Sequence, residues 1–373
     1  MKNFIQMYDV VLTTQGPLFI GSGQEIKKKE YIHRKREKEV VIPRLETMYS
    51  DICSMNRQRE FEQFLLTENK LGLGDWLEQN RIPESYVNRW KQYGLGCGDA
   101  LMKRRAPIQI MACIKDSYGK PYVPGSSLKG MLRTILLAYD IKCDPGKYSR
   151  VKNEVYQETE RYMDRKPKRD QYLRDEAKEV EKLAFHKLSR TERQSDMVND
   201  IMSGIIVSDS VPLSTDDLVL CQKLEYHTDG TEHSLNLLRE CIKPETKIHF
   251  QLTIDTDICS ITEQEINAAI KSFAEVYYER FIQVFPNMDR PSEHTVWLGG
   301  GAGYISKTVV YPMFGQQAPK VVSRIFQNTG VPNKHKHSND VQLGVSPHIL
   351  KLTQYQGKKY QFGMCDIRLV EKT

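Results

Sequence analysis

The sequence of 373 residues has no apolar segment long enough to cross a membrane. Its longest apolar runs are short, such as 135–138, whereas a membrane helix needs roughly 20 apolar residues. The first residues also lack a long apolar stretch followed by small residues, so no signal peptide is predicted. We therefore expect a cytoplasmic protein that does not bind a membrane.

Closely spaced cysteine pairs are absent as well. No two of the eight cysteines are closer than 16 positions, which excludes the CxxC pairs of zinc ribbons and knuckles. In a reducing compartment we expect free thiols rather than disulfides. The cysteines are Cys53, Cys97, Cys113, Cys143, Cys221, Cys241, Cys259 and Cys365.

The motifs of the common enzyme classes are also missing. Lys307 and Thr308 follow Ser306 rather than a glycine, so no GxxxxGK[ST] phosphate loop is present, and Tyr304 stands where GxGxxG needs its last glycine. No HExxH, GxSxG or two-carboxylate cluster occurs. The sequence thus argues against an ATPase or a Rossmann dehydrogenase, and we expect no cofactor.

Two histidine patterns remain as alternatives. His335-x-His337 could bind a metal on a loop, but the flanking Lys334 and Lys336 would oppose a cation, so we expect no metal. His33 stands among basic residues and could act as a general base for RNA cleavage. The sequence places no second catalytic group beside it.

Positive charge is concentrated in two stretches of the chain. The net charge is +6, and residues 101–137 and 318–360 each hold seven Lys or Arg against one acidic residue. Each stretch therefore carries +6, while the remaining chain carries −6. Such segregation suggests a basic face for a polyanion. A solvated surface with uneven charge is the alternative.

Strand and helix patterns follow one another in both halves. Alternating residues predict strands over 7–13, 108–114 and 246–254, and an apolar stripe predicts a helix after residue 126. A capping box of Thr262 and Glu265 predicts the start of another helix.

This order predicts an α+β fold of two packed modules. We predict an N-terminal module over 1–240, with helical inserts near 45–100 and 140–203, and a C-terminal module over 241–373 that contains the glycine-rich loop. Within the second insert, residues 147–194 mix both signs of charge, which favours long solvated helices.

The segment PGSSLKGMLR at 124–133 joins a strand end to a helix start. The first amides of a helix are unsatisfied and favour an anion, and Ser126 or Ser127 is a natural N-cap. Lys129 and Arg133 lie four residues apart on one helix face and could hold adjacent phosphates. A capped helix with solvated cations is the alternative. The candidate RNA-binding residues here are Gly125, Ser126, Ser127, Lys129, Gly130 and Arg133.

The second candidate segment is WLGGGAGY at 297–304. Four glycines in five positions permit positive φ angles and let a ligand backbone approach closely. Tyr304 could stack on a base, and Lys307 adds a positive charge. A tight structural turn is the alternative. The candidate RNA-binding residues are Gly299, Gly300, Gly301, Gly303, Tyr304 and Lys307.

Together with FIGSG at 19–23, these segments resemble the RAMP superfamily of CRISPR proteins. The family marks are the PGSSLKG element with its following arginine and the glycine-rich loop near the C-terminus. Within the superfamily, residues 297–315, 346–353 and 363–370 are similar to the subunit-five family of the type III-A Csm effector complex.

The resemblance implies two RRM-like (ferredoxin-like) modules with helical insertions. It implies binding near the 3′ end of the guide RNA (crRNA) and a part in its 3′-end maturation during antiviral defence. The implied partners are the repeating backbone subunit, the small helical subunit and host nucleases. By motif, Ser126, Ser127, Lys129 and Arg133 would contact phosphates, and the glycines of 299–303 would let the guide backbone lie against the chain.

One departure from the superfamily bears on catalysis. The backbone subunit that cuts target RNA carries an aspartate in the loop that corresponds to residues 24–33, and this chain has none there. We therefore predict a non-catalytic RNA-binding subunit. The alternatives are a RAMP endoribonuclease that cuts precursor guide RNA with His33 as base, and a protein–protein cap that uses the helices at 147–194.

Overall fold

The computed structural model describes residues 4–69, 71–100, 109–161, 166–168, 170–332, 335 and 337–372. Within these ranges the chain forms fourteen strands and eleven α-helices. Five basic residues of the two positive stretches lie outside the described residues: Lys103, Arg104, Arg105, Lys334 and Lys336.

The strands are β1 Ile5–Thr14, β2 Gly21–Ile26, β3 Ile32–Arg34, β4 Glu39–Pro43, β5 Lys91–Gly96, β6 Ile110–Cys113, β7 Ile205–Val207, β8 Leu218–His227, β9 Glu232–Ile242, β10 Lys247–Asp255, β11 Thr295–Trp297, β12 Ile349–Tyr355, β13 Lys358–Gln361 and β14 Met364–Glu371. The helices are α1 Leu45–Ser54, α2 Gln58–Leu66, α3 Leu73–Gln79, α4 Glu84–Trp90, α5 Gly125–Cys143, α6 Ser149–Glu160, α7 Arg174–Phe185, α8 Glu263–Arg280, α9 Val310–Phe314, α10 Ala318–Asn328 and α11 Asp340–Leu343.

Five strands form one antiparallel sheet in the order β11-β14-β1-β10-β7. Tyr8, Val10 and Leu12 of β1 are buried in the core that also holds the apolar residues of α5 and α8. The chain order β1-α5-β7-β10-α8-β14, with strand order β14-β1-β10-β7, is the ferredoxin-like arrangement. The first predicted strand and the α+β class are therefore confirmed.

The two helices of this module begin differently. At α8 the predicted capping box is confirmed, because the Thr262 hydroxyl accepts from the Glu265 amide at 3.2 Å and the Glu265 carboxylate accepts from the Thr262 amide at 2.8 Å. The serine cap predicted for α5 is wrong. Helix α5 begins at Gly125 with Pro124 as N-cap, and no side chain of the N-cap residue bonds the first turn.

A second, mixed sheet follows the order β2-β6-β9-β8-β5-β4-β3, and β12 with β13 adds to it through β8. The fully buried Glu240 of β9 links this strand to β5 and to the segment after β6. Its carboxylate accepts hydrogen bonds from the Tyr93 hydroxyl at 2.6 Å and from the Lys115 ammonium at 2.5 Å. A bridge between Leu18 and Ile242 connects the end of β9 to the chain leaving β1. The two sheets therefore share a continuous core.

The predicted helical inserts are present, with one correction. Helices α1 to α4 pack around their own core of Phe61, Phe64, Trp76 and Trp90. The helical prediction over 45–100 is wrong at its end, because residues 91–96 form β5, where the side chains alternate between buried and more exposed positions. In the second insert, where the mixed charge predicted solvated helices, α6 and α7 are present and their charged side chains form ion pairs.

The five-stranded sheet draws β1 and β7 from before residue 240 and the other three strands from after it. The division into modules at 240 and 241 as such stays a prediction. All eight cysteines are free thiols, as expected. Among the helices of the described ranges, none is both long and apolar enough to span a bilayer.

Candidate nucleic-acid interface

The start of α5 already holds an acidic group of the same chain. The Gly125 amide donates to the Asp209 carboxylate at 2.8 Å, in the position where the sequence suggested an external anion. Gly125 is buried, and a Cβ there would lie 2.3 Å from the Val207 carbonyl oxygen. This glycine therefore lets α5 pack directly against the end of β7.

The two predicted phosphate ligands of α5 also have internal partners. The Lys129 ammonium donates to the Ile205 carbonyl at 2.7 Å, and burial lowers its pKa. Arg133 bonds Asp200 at 2.7 Å and Glu181 at 2.9 Å. Phosphate binding by Lys129 and Arg133 would require these partners to be exchanged or shared, and it stays a prediction.

Three other candidates of the first segment lie on the same first turns of α5. Ser126 and Gly130 are exposed, and Ser127 is half-buried. A Cβ at Gly130 would meet no atom within 4 Å, so the side chains around it leave this helix surface open. Contact between this surface and RNA stays a prediction.

The first part of the glycine-rich loop packs on the segment that follows β1. Gly299 has a φ of +79°, and a Cβ there would lie 2.4 Å from the Phe19 carbonyl oxygen. The Gly300 amide donates to the same oxygen at 2.7 Å. These two glycines are therefore needed for a tight structural turn, which was the alternative to ligand contact.

The second part of the loop faces a cation and an aromatic cluster. Gly301 has a φ of +96°, and a Cβ there would lie 2.4 Å from Nη1 of Arg239. Gly303 has a φ of +97°, and a Cβ there would lie 3.8 Å from the Tyr277 hydroxyl, which is an ordinary contact. Burial raises the pKa of Tyr304 to about 12, and its ring lies edge-on to Phe326 at 5.2 Å. Stacking of Tyr304 on a base stays a prediction.

Arg239 is the residue that this loop surrounds. Its guanidinium lies between two aromatic rings, 4.9 Å from the centroid of Phe19 and 5.3 Å from that of Phe362. Its Nε and Nη1 atoms are buried, and neither has a hydrogen-bond partner in the described part of the chain. Buried donors nearly always have a partner, so Arg239 is unusual in the described part of the chain, and its half-buried guanidinium adds positive charge beside the loop.

Two lysines extend this positive region. Burial lowers the pKa of Lys223 to about 8, and the nearby Lys351 and Arg239 act in the same direction. The pKa of Lys307 is also lowered, by partial loss of solvent and then by Arg239. Lys351 has a carboxylate partner in Glu225 at 2.7 Å.

We call Lys223, Arg239 and Lys307 the loop cation cluster. Within the described ranges none of the three forms an ion pair with a carboxylate. Arg239 lowers the pKa of both lysines, and the one nearby acidic group, Glu225, is already paired with Lys351, so the cluster favours the binding of an anion such as a phosphate.

Sequence reasoning found Lys307 but missed Arg239 and Lys223. Arg239 lies on β9 and Lys223 on β8, and these strands pair with each other. Nothing local marks Arg239 as special, because its aromatic neighbours Phe19 and Phe362 come from segments more than 100 positions away along the chain.

The two candidate segments lie at the same end of the five-stranded sheet but at opposite edges. All neighbouring strands of this sheet are antiparallel, so β7 and β11 run in the same direction. Asp209 follows β7 and the glycine-rich loop follows β11, so both lie at the same end of the sheet. Four strand spacings separate these edges, which is roughly 19 Å. An extended strand could contact both segments, but one phosphate could not.

His33, the alternative catalytic residue, lies elsewhere. It stands on the edge strand β3 of the second sheet, beside a cavity of about 560 Å³ that Arg34 and Asp75 also line. Burial lowers the pKa of His33, and Lys35 lowers it further. The imidazole is therefore neutral at pH 7, which is the form that a general base needs.

Comparisons with known proteins identify the family and the fold of this chain. A family profile for the RAMP superfamily matches residues 11–306. A protein of Mycobacterium tuberculosis (strain CDC 1551 / Oshkosh) described as CRISPR system Cms protein Csm5 is 30% identical over 394 aligned positions, which cover 99% of each chain. A Streptococcus thermophilus protein of the same description is 27% identical over 318 positions, covering 83% of this chain and 82% of that protein.

Two solved structures share the fold. One is a chain in a cryo-EM structure of a Csm–crRNA–target RNA ternary complex of a type III-A CRISPR-Cas system, with a TM-score of 0.65 and 18% identity over 97% of this chain and all of that chain. The other is the crystal structure of T. onnurineus Csm5, with a TM-score of 0.59 and 17% identity over 95% and 99% of the two chains.

The chain therefore belongs to the RAMP superfamily, as its ferredoxin-like sheet and glycine-rich loop predicted. Its full-length similarity to the mycobacterial protein places it within the Csm5 family of that superfamily. The family resemblance seen in the sequence is confirmed.

Proposed function

We propose that this chain is the subunit of a type III-A CRISPR effector complex that holds the guide RNA near its 3′ end. In this role it supports assembly of the complex and 3′-end maturation of the guide RNA in cytoplasmic antiviral defence, without cutting RNA itself. The observation that carries the proposal is the loop cation cluster beside the glycine-rich loop. The relatives' membership in Csm complexes supports the choice of partner.

The cluster supplies what a sugar–phosphate strand requires. Arg239 is half-buried and places the positive charge of its guanidinium at the loop, and a guanidinium is a good partner for phosphate. Lys223 and Lys307 add charge on either side. Gly301 leaves room for the guanidinium, and the absence of a side chain at Gly303 lets the RNA backbone pass close to the loop.

The open face of the five-stranded sheet supports contact with neighbouring protein subunits. Ile5, Met7, Ile206 and Val370 are all at least 41% exposed. Paired residues in the register place them on the face opposite α5 and α8. An apolar patch of this kind marks a protein interface. We propose that the backbone or small helical subunit covers it, whereas recruitment of host nucleases stays a prediction.

The test is guide-RNA binding by a variant with Lys223→Gln, Arg239→Gln and Lys307→Gln. Each phosphate contact to a single strand contributes about 0.7 to the log–log slope of affinity against salt. We expect the variant to lose about two units of slope and to retain less guide RNA in the purified complex.

A matched control changes three exposed cations that already have carboxylate partners, with Lys178→Gln, Lys271→Gln and Arg290→Gln. It removes the same net charge from positions outside the loop cation cluster. An equal loss of slope in this control, or an unchanged slope in the cluster variant, would reject the proposed site. The pair Lys129→Ala and Arg133→Ala tests the first segment in the same assay.

The endoribonuclease alternative is tested separately. The purified chain is incubated with labelled repeat RNA without added metal, beside a His33→Ala variant. We expect no specific product. Cleavage that requires His33 would assign the chain to the RAMP endoribonucleases instead.

A further inference from the structure

Five of the nine histidines lie together near the start of β12. Their rings form a chain of contacts with centroids 5.1 to 6.1 Å apart. They come from the β8–β9 hairpin and from the segment before β12, so only the fold brings them together. The five are His227, His233, His335, His337 and His348.

Asp340 is the acidic centre of this cluster. Its side chain is fully buried, and its carboxylate oxygens lie 3.0 Å from Nδ1 of His337 and 2.6 Å from Nδ1 of His348. The Ser346 hydroxyl donates to the same carboxylate. Among the described residues no lysine or arginine pairs with Asp340. A buried carboxylate needs a compensating positive charge, and a bound cation would supply one.

We infer that His337, Asp340 and His348 bind a zinc ion. One nitrogen from each histidine and one carboxylate oxygen lie within 4.8 Å of one another. In a tetrahedral zinc site the metal–ligand bonds are about 2.0 to 2.2 Å, which places two bound imidazole rings about 5 Å apart. The rings of His337 and His348 are 5.1 Å apart.

A fourth, open position suits a water molecule, as in zinc sites with three protein ligands. The nearest further imidazole is His227, whose ring lies 5.7 Å from that of His348. Its Nε2 atom is buried without a hydrogen-bond partner in the described part of the chain. An unpartnered polar atom beside the cluster is a second, independent indication of a polar occupant there.

The site is connected to the glycine-rich loop. The ring of His337 packs against Phe326 at 4.6 Å, and Phe326 packs against Tyr304 at 5.2 Å. A cavity of about 220 Å³ is lined by Gly303, Tyr304 and His337, among others. A zinc ion would therefore fix the segment before β12 against the loop. This inference does not depend on the proposed RNA contact.

The test uses the full-length chain, freed of metal with a chelator and then titrated with Zn²⁺ alone. We expect one zinc per chain by atomic emission spectrometry and a higher midpoint of thermal unfolding with zinc. Co²⁺ should give the absorption bands of a tetrahedral site. His294→Ala, an exposed histidine outside the cluster, should behave like the unaltered chain.

The variants Asp340→Asn and His348→Ala should bind zinc at least about tenfold more weakly. Because Asp340→Asn could impair folding, circular dichroism is recorded for each variant, and His337→Ala serves as a second ligand variant. Absence of stoichiometric zinc in the unaltered chain would overturn the inference. The same follows if folded ligand variants bind zinc as tightly as His294→Ala, because that would show binding to dispersed histidines.

Discussion

RNA affinity should fall as the pH rises through about 8, because Lys223 loses its charge in this range. Burial, Lys351 and Arg239 together lower the pKa of Lys223 to about 8 from the ordinary 10.5. The ammonium is thus about 90% protonated at pH 7 and about 10% protonated at pH 9. A bound phosphate would favour the charged form and raise this pKa.

The size of the effect follows from linkage. If phosphate restores the pKa of Lys223 to its ordinary 10.5, the affinity falls about tenfold between pH 7 and pH 9, and a smaller restoration gives a smaller fall. Arg239 keeps its charge over this range because a guanidinium does not lose its proton there. Glu225, whose pKa is lowered, also keeps its charge.

The assay is fluorescence anisotropy with a labelled guide-RNA 3′ segment at constant ionic strength from pH 6.5 to 9.5. A Lys223→Arg variant keeps its charge throughout and should bind with a flatter pH profile. A Lys223→Met variant should bind weakly with an equally flat profile. A steep decline that persists in Lys223→Arg would refute the assignment to Lys223, and a flat profile in the unaltered chain would refute phosphate contact there.

Three stability predictions can be measured by urea unfolding. Gly299→Ala should lower the free energy of unfolding by about 1 to 3 kcal/mol. Residue 299 has a positive φ, and the added Cβ would collide with the Phe19 carbonyl oxygen. An unchanged free energy of unfolding would mean that the loop shifts freely. Asp209→Ala should lower the free energy of unfolding by about 0.5 to 2 kcal/mol, because the Gly125 amide at the start of α5 loses its carboxylate acceptor. An equal loss in Asp209→Asn would show that the charge of Asp209 matters more than its hydrogen bond. Glu240→Ala should lower the free energy of unfolding by about 3 to 5 kcal/mol, because Tyr93, the Cys113 amide and Lys115 lose their shared acceptor. A loss below about 1 kcal/mol would show that Glu240 does not hold these strands together.

The fold was predictable where one face of an element meets the core. The alternation from residue 7 to residue 13 gave β1, and the pair Thr262 and Glu265 gave the first turn of α8. Strand β5 was missed because Gly94 and Gly96 are typical of a loop. The buried residues Tyr93 and Leu95 nevertheless alternate with these glycines, as expected for a strand. Local signals thus failed where glycines occupy the exposed side of a strand.

The candidate site was predictable only in part, because its interactions are long-range. The spacing of Lys129 and Arg133 correctly placed them on one helix face, but their partners Ile205 and Asp200 follow more than 60 positions later. Arg239 is recognisable as a site residue only in the folded chain, where its guanidinium contacts the rings of Phe19 and Phe362. The HxH pattern likewise suggested His335 with His337, whereas the structure pairs His337 with Asp340 and His348.

The position of β1 has a consequence for how the chain is made. This strand is synthesised well before one of its two neighbours, because β14 lies at least 350 positions further along the chain. Until then its hydrogen-bonding edge toward β14 is open, next to the exposed Ile5 and Met7. The central sheet therefore cannot close locally during synthesis, and the edge of β1 needs protection from other strands until β14 has been made.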